Sequence, residues 1–366
     1  MKFIHCADLH FDSKLNANLD QESAKARKAE ILNTFVRMVA FAAKHQVGAI
    51  LIVGDLFDTK NSSATARNTL LYEITEHPSI NFYYLRGNHD EEVNFFREGE
   101  IPQNLKIFDD QWTTYFEADN KITISGIEFP AKNPDTIYQD FVLNMEKFNI
   151  VMLHGQEMEG AGKDNTEVIN LKALRGRGID YLALGHIHAY KKEVLDARGT
   201  YCYCGCLEGR GFDECGEHGF VLLDVNEEDN TYTHEFIPFA QRRLYALDVD
   251  VTGCLTSAQM AGKVEEALFA AGCTEQDLIK IVLKGMVDVA CEKDISYFLA
   301  RFSPQFYFIK FYDETVFGLE MGDYFLDASL KGEYVRQVMA DDTIAEEDKK
   351  IVIRYGLQAI AGEEVE

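Results

Sequence analysis

The sequence predicts an α/β protein with a layered first domain, a smaller β-α-β-α-β unit and a helical tail. Strand and helix signals alternate through the first 240 residues, which is typical of mixed sheets covered by helices. After residue 240 a self-contained set of shorter elements begins, and the last fifty residues look helical. A chain of 366 residues is also longer than most domains that fold around a single hydrophobic core. We therefore predict domains at residues 1–240, 241–313 and 314–366.

The elements of the first domain follow from their apolar patterns. "MKFIHCAD" is a short apolar strand, and the helix after it has an apolar stripe with the helical period, formed by Ile31, Leu32, Phe35, Met38, Val39 and Ala42. "AILIV" (49–53) is apolar throughout and bounded by glycines, which predicts a strand buried on both faces. A second helix is predicted near 64–76. The later strand candidates are "NFYYLR", "KITISGIEF", "NIVMLH", "YLALGH" and "GFVLLDV".

The elements after residue 240 are shorter. "LYALDVDV" alternates as a half-exposed strand, a helix follows near 257–271, and "LIKIVLKG", "KDISYFLARF" and "QFYFIKFY" continue as strand, helix and strand. In the tail, Thr343 and Glu346 form a capping-box pattern, and Ile353, Leu357 and Ile360 recur with helical spacing. The tail therefore either packs on the body or offers an apolar stripe to a partner helix.

Composition limits the class of protein. An apolar content of 46% and a charged content of 27% are ordinary for a soluble globular protein. No apolar run approaches the length of a membrane span, and Asp8 interrupts the only N-terminal run that resembles a signal peptide, so we expect a cytoplasmic protein with no membrane partner. A net charge of -25 argues against a surface that coats DNA, but DNA is still possible as a substrate if a local cationic site or a basic partner subunit attracts it.

The eight cysteines are expected to be free thiols, because nothing in the sequence points to export. Cys202, Cys204 and Cys206 alternate in "TYCYCGCLEG", which places them on one face of a strand. Cysteine is a common small buried residue there. Their spacing lacks the C-x-x-C knuckle of structural zinc sites, so burial is favoured over metal binding.

Metal-ligand and acid–base side chains follow one strand after another in the first domain. In chain order they are Asp8 and His10, Asp55 and Asp58, Asn88, His89 and Asp90, His154, and finally His186 and His188. Side chains beyond the carboxyl ends of neighbouring strands converge on one crevice of an α/β sheet. Oxygen and imidazole ligands without thiolate suit manganese, iron or zinc. The sequence therefore predicts a metal site, and a carboxylate shared by two cations suits phosphoryl chemistry.

The order D-x-H, G-D-x-x-D, G-N-H-D, H, G-H-x-H resembles the calcineurin-like metallophosphoesterase family. The resemblance implies an α-β-β-α sandwich as catalytic domain and two divalent ions. It assigns one ion to Asp8, His10, Asp55 and His188, and the other to Asp55, Asn88, His154 and His186. It also implies that His89 faces the scissile phosphate as general acid or transition-state stabiliser, that Asp90 orients it, and that a metal-bound hydroxide attacks in line.

Within that family, "MKFIHCADLHFDSKL", "GCLEGRGFDECGEHGF" and the appended β-α-β-α-β unit look like the DNA-repair nuclease branch, with its SbcD-type exonuclease subunits and YhaO-type proteins. The tail resembles the YhaO type in particular. This implies a manganese-dependent exonuclease or single-strand endonuclease that works with a coiled-coil, SbcC-like ATPase. Residues 241–313 would cap the DNA path, 314–366 would dock the ATPase, and a homodimer is expected by analogy.

The sequence departs from the family pattern at two positions. Asp58 stands where archaeal and eukaryotic relatives have histidine, so we interpret it as a carboxylate that orients a ligating histidine. Asp12 stands where glycine is common, which leaves the geometry of the first loop open. Arg86 and Arg210 are candidate phosphate contacts, although structural arginines are the more frequent case.

Two other functions fit the sequence less well. A phosphatase or cyclic-nucleotide phosphodiesterase with a small substrate is favoured by the acidic charge, and the appended unit and tail favour DNA instead. An architectural subunit of the ATPase complex with vestigial activity is the other alternative, and the complete set of ligand residues argues against it.

Overall fold

The computed structural model describes residues 1–366 except 14, 16–18, 59–62, 91–100, 130–134, 140, 160–167, 289–290, 292, 319–320 and 362–366. The chain divides into two compact units, Met1–Arg243 and Leu244–Glu366. No helix in the described part of the chain is both long enough and apolar enough to span a membrane. The predicted boundaries at residues 240 and 313 stay a prediction.

The first unit contains strands β1 to β14 and helices α1 to α3. The strands are β1 (Lys2–Cys6), β2 (Ala49–Val53), β3 (Asn81–Leu85), β4 (Leu105–Ile107), β5 (Thr113–Glu117), β6 (Ile122–Gly126), β7 (Phe148–His154), β8 (Gln156–Met158), β9 (Val168–Asn170), β10 (Tyr181–Gly185), β11 (Lys191–Val194), β12 (Thr200–Tyr203), β13 (Gly219–Asn226) and β14 (Thr231–Pro238). The helices are α1 (Gln21–Lys44), α2 (Ala64–Glu76) and α3 (Leu171–Leu174), with a 3-10 turn at Asp135–Tyr138.

Two six-stranded sheets form the centre of this unit. The first has the order β14-β13-β1-β2-β3-β4, and the second has the order β11-β12-β10-β7-β6-β5. Strands β1, β2 and β3 run parallel, as do β6, β7, β10 and β12. The antiparallel strands β13 and β14 extend the first sheet, and β5 and β11 close the edges of the second.

The two sheets pack face to face through one layer of buried side chains. The layer includes Phe3, Leu51 and Tyr83 from the first sheet and Ile150, Met152 and Tyr181 from the second. Alternate residues of β1 and β2, such as Ile4 and Ile52, point the other way and pack under the stripe of α1. The predicted layered α/β sandwich is confirmed.

The outer layer on the second sheet is thin. In the part of the chain that the structure describes, it contains the four-residue helix α3, the 3-10 turn and connecting segments, whose Tyr138, Leu171 and Leu174 cover Val151 and Leu182 of the sheet. The strands predicted from continuous apolar runs are present at nearly the predicted residues. Strand β2, for example, spans the predicted residues 49–53. The short or edge strands β4, β5, β8, β9, β11 and β14 were not predicted, because half-exposed strands lack a continuous apolar run.

The second unit contains strands β15 to β19 and helices α4 to α8. They are β15 (Leu244–Asp250), α4 (Ser257–Ala271), β16 (Leu278–Lys284), β17 (Met286–Asp288), α5 (Ile295–Phe302), β18 (Phe308–Asp313), β19 (Val316–Gly318), α6 (Met321–Leu326), α7 (Leu330–Ala340) and α8 (Glu346–Ala361). Strands β15, β16 and β18 form a parallel sheet with α4 and α5 packed on it, so the predicted β-α-β-α-β unit is confirmed. A 3-10 turn at Ser303–Gln305 joins α5 to β18.

The last fifty residues are not wholly helical. Val316–Gly318 pairs with Met286–Asp288 as a short parallel strand. The capping-box prediction is wrong, because α8 begins at Glu346 and the Thr343 hydroxyl donates instead to the Asp341 carboxylate at 2.6 Å. Two residues of the predicted stripe, Ile353 and Leu357, are buried with Tyr324, Val335 and Val338 in a small helical core. Most of the apolar stripe on α8 therefore packs inside the second unit.

A buried ion pair joins α1 to the segment after β12. The guanidinium of Arg27 and the carboxylate of Glu208 lie 2.5 Å apart, and Arg27 is 1% exposed. The Thr34 hydroxyl also donates to Glu208, at 2.7 Å. We expect Glu208→Ala to lower the free energy of unfolding by about 3 kcal/mol, because it removes the acceptor of Thr34 and one of two carboxylates paired with the buried Arg27, which keeps only Glu30 at 3.1 Å.

Urea unfolding followed by fluorescence measures this effect in the first unit alone, because Trp112 is the single tryptophan of the chain. Glu228→Ala is the control, since Glu228 pairs with Lys121 on the exposed surface. We expect no measurable change for the control, because exposed ion pairs contribute little. Equal unfolding midpoints for the two variants would contradict the importance of the buried pair.

Candidate metal centre

The predicted ligand residues lie at the carboxyl ends of β1, β2, β3, β7 and β10, with His154 as the last residue of β7 and the others in the loops that follow. Strands β1, β2 and β3 run parallel to one another in the first sheet, and β7 runs parallel to β10 in the second, so their carboxyl ends reach the same edge of the sandwich. The loops after β1 and β2 also bind each other, since the backbone N–H of Asp8 donates to the Gly54 carbonyl at 3.1 Å and that of His10 to the Asp55 carbonyl at 2.9 Å. The topology thus brings residues 8 to 188 to one place.

Several of these residues have left-handed backbone conformations. The φ angles are 53° at Asp8, 44° at His10, 51° at Asp55 and 103° at His186. Residues other than glycine rarely adopt positive φ, and such strain is concentrated at functional sites. The sharp turns explain how two side chains from one short loop, those of Asp8 and His10, reach the same centre.

Glycine is required at two positions because of close approach. A Cβ atom at Gly87 would lie 2.2 Å from Oδ1 of Asp55, and one at Gly54, where φ is 84°, would lie 2.0 Å from Nδ1 of His154. Both distances are far below van der Waals contact. The glycines of the G-D and G-N-H-D motifs therefore leave the space into which the ligand side chains fit.

Asp8, His10 and His188 form the first group of ligands. One ligand atom from each lies within 4.8 Å of the others. The Nε2 atoms of the two histidines are 3.2 Å apart and converge on one point, and Nε2 of His10 is 3.7 Å from Oδ2 of Asp55. The structure thus brings together the four residues predicted to hold one ion.

Asp55, His154 and Asn88 form the second group. Nε2 of His154 is 3.4 Å from Oδ2 of Asp55 and 3.1 Å from Oδ1 of Asn88. Nδ1 of His154 lies 3.0 Å from the Val53 carbonyl, which fixes the tautomer and leaves Nε2 for a metal.

His186 lies at the edge of the second group. Its ring packs edge-on against His154, with centroids 5.5 Å apart, and its backbone N–H donates to both carboxylate oxygens of Asp8 at 3.0 and 3.1 Å. In the described residues the close grouping around His154 contains Asp8 and Asp55 rather than His186. The ligand role of His186 therefore stays a prediction.

The electrostatics couple these buried side chains. Burial opposes ionisation of Asp55, but the neighbouring imidazoles of His154 and His10 outweigh it and hold the pKa of Asp55 well below its ordinary value. Burial likewise opposes protonation of His154, and the Asp55 carboxylate reverses that effect and raises the pKa of His154 to about 9. The two shifts have one cause, the attraction between the Asp55 carboxylate and the His154 imidazole, and the same carboxylate would attract a bound cation.

His89 lies on the open side of the two groups. Its side chain is 43% exposed, its ring is edge-on to His10 at 5.1 Å, and its Nδ1 lies 3.5 Å from Oδ1 of Asp58. The same Asp58 oxygen lies 3.1 Å from Nδ1 of His10, in ion-pair range although without good hydrogen-bond geometry. Asp58 thus lies where a carboxylate that orients a ligating histidine is predicted, and it faces His89 as well.

Asp90 has a different position from the one predicted. Its buried carboxylate accepts hydrogen bonds from the backbone N–H groups of Leu56, Phe57 and Gly87, at 3.0 to 3.2 Å. Burial raises the pKa of Asp90, and these backbone hydrogen bonds partly oppose that rise. Asp90 therefore fixes the loop that carries Asp55, and the carboxylate that lies against His89 is that of Asp58.

The two arginines predicted as phosphate contacts are both engaged by carboxylates. Arg86 forms a bidentate pair with Glu128, with Nε–Oε1 and Nη2–Oε2 distances of 2.8 Å. Arg210 donates to Glu214, with Nη2 at 2.7 Å from Oε1, and its side chain is only 15% exposed. Each pair uses only part of the five N–H donors of a guanidinium, so the role of both arginines as phosphate contacts stays a prediction.

Glu214 is a site residue that sequence reasoning missed. Its Oε1 lies 2.7 Å from Nδ1 of His188, which orients that ring and leaves Nε2 for a metal. Burial opposes ionisation of Glu214, but His188 and Arg210 hold its pKa well below the ordinary value. A signal was present, since Glu214 lies in "GCLEGRGFDECGEHGF", but no local pattern relates it to a histidine 26 residues earlier.

The remaining sequence features have ordinary roles. Asp12 has a φ of 66°, and its carboxylate accepts the backbone N–H of Ser63 at 2.6 Å, so it tolerates the left-handed position where glycine is common. Cys202, Cys204 and Cys206 are free and buried, and burial raises the pKa of Cys202 to about 12. Among the described residues, no close grouping of potential metal ligands includes a cysteine.

The arrangement fits divalent metal ions. Two groups of carboxylate, imidazole and amide donors lie side by side, and Asp55 is next to both. Hydrogen-bond partners on Nδ1 direct the Nε2 atoms of His154 and His188 inward. Donors of this kind suit manganese, iron or zinc.

Residues 1–190 match the family described as calcineurin-like phosphoesterase. The chain belongs to this family. The match covers both ligand groups and ends just after His188, so the resemblance inferred from the motifs is confirmed.

Three curated relatives are similar over part of their length. Metallophosphoesterase YhaO of Bacillus subtilis is 30% identical over 246 residues, covering 63% of this chain and 59% of YhaO. DNA double-strand break repair protein Mre11 of Sulfolobus acidocaldarius is 23% identical, covering 62% and 61%. The SbcD component of nuclease SbcCD of Escherichia coli K12 is 26% identical, covering 61% and 64%. The chain thus matches about three fifths of each relative.

The ligand assignment predicts how metal stoichiometry changes in variants. We expect His188→Gln to remove one of two bound ions, because it belongs to the first group only. Asp55→Asn should weaken both ions, because Asp55 adjoins both groups. Dialysis against Mn²⁺ or Zn²⁺ followed by metal analysis measures the stoichiometry.

His45→Gln is the control for these two variants, since His45 lies at the end of α1 and its ring bonds the Phe41 carbonyl. It should keep two ions. Retention of both ions in Asp55→Asn, or loss of both in His188→Gln, would refute the assignment.

Proposed function

We propose that this protein is a two-metal phosphodiesterase, using manganese, that cleaves DNA as an exonuclease or single-strand endonuclease in DNA repair. The observation that carries the proposal is the pairing of two adjacent ligand groups with an exposed imidazole, that of His89, on their open side. A phosphate held by ions in these groups would therefore meet a proton donor.

Asp8, His10, Asp55 and His188 would hold one ion, and Asp55, Asn88, His154 and His186 the other. When bound, such ions supply positive charge to the phosphate and lower the pKa of a water molecule. The two carboxylates contribute about -2 against roughly +4 from two divalent ions, so the site stays cationic within an acidic chain. This charge favours an anionic phosphate ester.

The chain's own groups perform the other steps. His89 has its ring on the solvent side of His10, and Asp58 lies 3.5 Å from its Nδ1. Asp58 thus faces Nδ1 of the ring, and the other nitrogen, when it carries a proton, is a donor to a phosphate or leaving oxygen. Asp90 keeps the loop with Asp55 and His89 in place through backbone hydrogen bonds.

DNA is proposed as the substrate because the relatives named above include a DNA double-strand break repair protein and a component of a nuclease. The net charge of -25 limits general attraction to DNA, so binding would depend on the metal centre and a partner. A small-substrate phosphatase is the alternative, and substrate choice separates the two.

The partner proposed for the chain is a coiled-coil, SbcC-like ATPase, which would dock on residues 314–366. Three apolar side chains in this segment, Phe325, Leu326 and Leu330, are 48%, 91% and 71% exposed. Exposed apolar side chains that lie close in sequence often mark protein interfaces. A homodimer is also proposed, by analogy with the family alone.

The nuclease proposal predicts that the purified protein with Mn²⁺ cleaves labelled single- or double-stranded oligonucleotides. His89→Gln should lower kcat by about 10²–10⁴, because it removes a positioned proton donor. Gel analysis of the DNA products and metal analysis of the same samples are the measurements.

A panel of nucleoside monophosphates and cyclic nucleotides, with Mn²⁺, Mg²⁺ and Zn²⁺ in turn, controls for the alternative substrates. Robust turnover of a monophosphate with intact DNA would exclude the nuclease. Metal loss in His89→Gln would contradict its placement as a residue that does not bind metal.

The docking proposal predicts that Leu326→Arg combined with Leu330→Arg weakens capture of a coiled-coil ATPase partner by at least about tenfold, because charges replace buried apolar contacts. Phe269→Arg is the matched control, since Phe269 is 90% exposed on α4 of the same unit. Pull-down or calorimetry with the full-length chain measures the affinity. Unchanged capture by the double variant would show that the tail is not the docking site.

A further inference from the structure

Arg210 lies between two carboxylates of the metal centre. Its Nε and Nη2 atoms donate to Glu214, with Nη2–Oε1 at 2.7 Å, and its Nη1 lies 3.5 Å from Oδ1 of Asp58. The backbone N–H of Arg210 also donates to Oε2 of Glu214 at 2.7 Å. One guanidinium thus contacts carboxylates from two loops that are more than 150 residues apart in the chain.

Each of these carboxylates faces a histidine of the first ligand group. Oε1 of Glu214 lies 2.7 Å from Nδ1 of His188, and Oδ1 of Asp58 lies 3.1 Å from Nδ1 of His10. On the other side of the two rings, the Nε2 atoms are 3.2 Å apart. Arg210 therefore contacts the carboxylate that lies behind each of the two imidazoles.

We propose that Arg210 is a positioning residue for the first metal position: it holds Asp58 and Glu214 so that both Nε2 atoms point to one site. The inference rests on metal binding by the proposed function, but it does not depend on DNA as the substrate. It replaces the role of phosphate contact that the sequence suggested for Arg210.

The chemistry of the donors supports this role. Nη2 of Arg210 also lies 3.2 Å from Nδ1 of His188, but a guanidinium has no acceptor, so the proton on Nδ1 goes to Glu214. Glu214 accepts from both groups and thereby fixes the tautomer with a free Nε2. The negative charges of Asp58 and Glu214 repel each other, and the positive guanidinium that contacts both offsets this repulsion.

A planar guanidinium is suited to this position. It presents several donors in a fixed fork, so one side chain contacts Glu214 and Asp58 at the same time. The ammonium of lysine is a single point charge and would reach one carboxylate. The same Asp58 oxygen also lies 3.5 Å from His89, so Arg210 is linked to the proposed proton donor as well.

The test measures metal binding to the full-length chain, with Mn²⁺ alone as the probe and free Mn²⁺ followed by electron paramagnetic resonance. Arg210→Met should weaken the first of two ions by about tenfold to hundredfold and leave the second within a few-fold, as is typical when an orienting partner of a ligand is lost. The affinity of Arg210→Lys for the first ion should lie between that of Arg210→Met and that of the wild type. The visible spectrum of bound Co²⁺ should change in Arg210→Met, because the ligand geometry changes.

Arg198→Met is the matched control. Arg198 forms a bidentate pair with Asp180 in the same unit, with both distances at 2.8 Å, and is also largely buried. It should lose stability in urea as Arg210→Met does, but bind both ions with wild-type affinity and show an unchanged Co²⁺ spectrum.

Three results would overturn the inference. Wild-type affinity for both ions in Arg210→Met would remove the positioning role. Equal weakening of both ions, or the same weakening in Arg198→Met, would indicate general destabilisation. Unchanged metal affinity with a raised KM for DNA would identify a phosphate contact instead. If the wild-type protein did not cleave DNA but the metal results were as expected, the proposed function would be refuted and the role of Arg210 would stand.

Discussion

Two buried carboxylates beside one imidazole are the constraint around which the first unit is built. Asp8 and Asp55 are 1% and 2% exposed, and an oxygen of each lies within 4.8 Å of the other and of a His154 nitrogen. Like charges at this distance are costly in a protein interior. Backbone N–H groups of His186 and His89 offset part of the cost, and the imidazoles offset more. Divalent cations would supply the remaining positive charge.

The backbone is adapted to this concentration of ligands. Parallel strands from two sheets end at one edge, and left-handed residues turn the chain sharply there. Each turn is stabilised by a neighbour: Asp90 binds three backbone N–H groups of the loops after β2 and β3, and the loops after β1 and β2 bind each other. The strain at the ligands is therefore offset by hydrogen bonds within and between these loops.

An outer layer of oxygen atoms faces the Nδ1 nitrogens of three ligand histidines. Glu214 lies behind His188, Asp58 behind His10, and a backbone carbonyl behind His154. Arg210 contacts both of these carboxylates, and Asp58 also lies against the exposed His89. The proposed metal sites and the proposed proton donor are thus connected by one set of side chains, and a change in the outer layer is expected to affect both.

The sequence by itself determined the layered α/β domain, the β-α-β-α-β unit and the candidate ligand residues, because apolar periodicity and strand-end motifs are local patterns. Only the tertiary structure decided the partners of Asp90, Arg210 and Glu214. Their contacts join loops that are distant in the chain, and no spacing rule gives the direction of a side chain in an irregular loop. The left-handed turns of the loops set those directions, so Asp58 rather than Asp90 lies against His89.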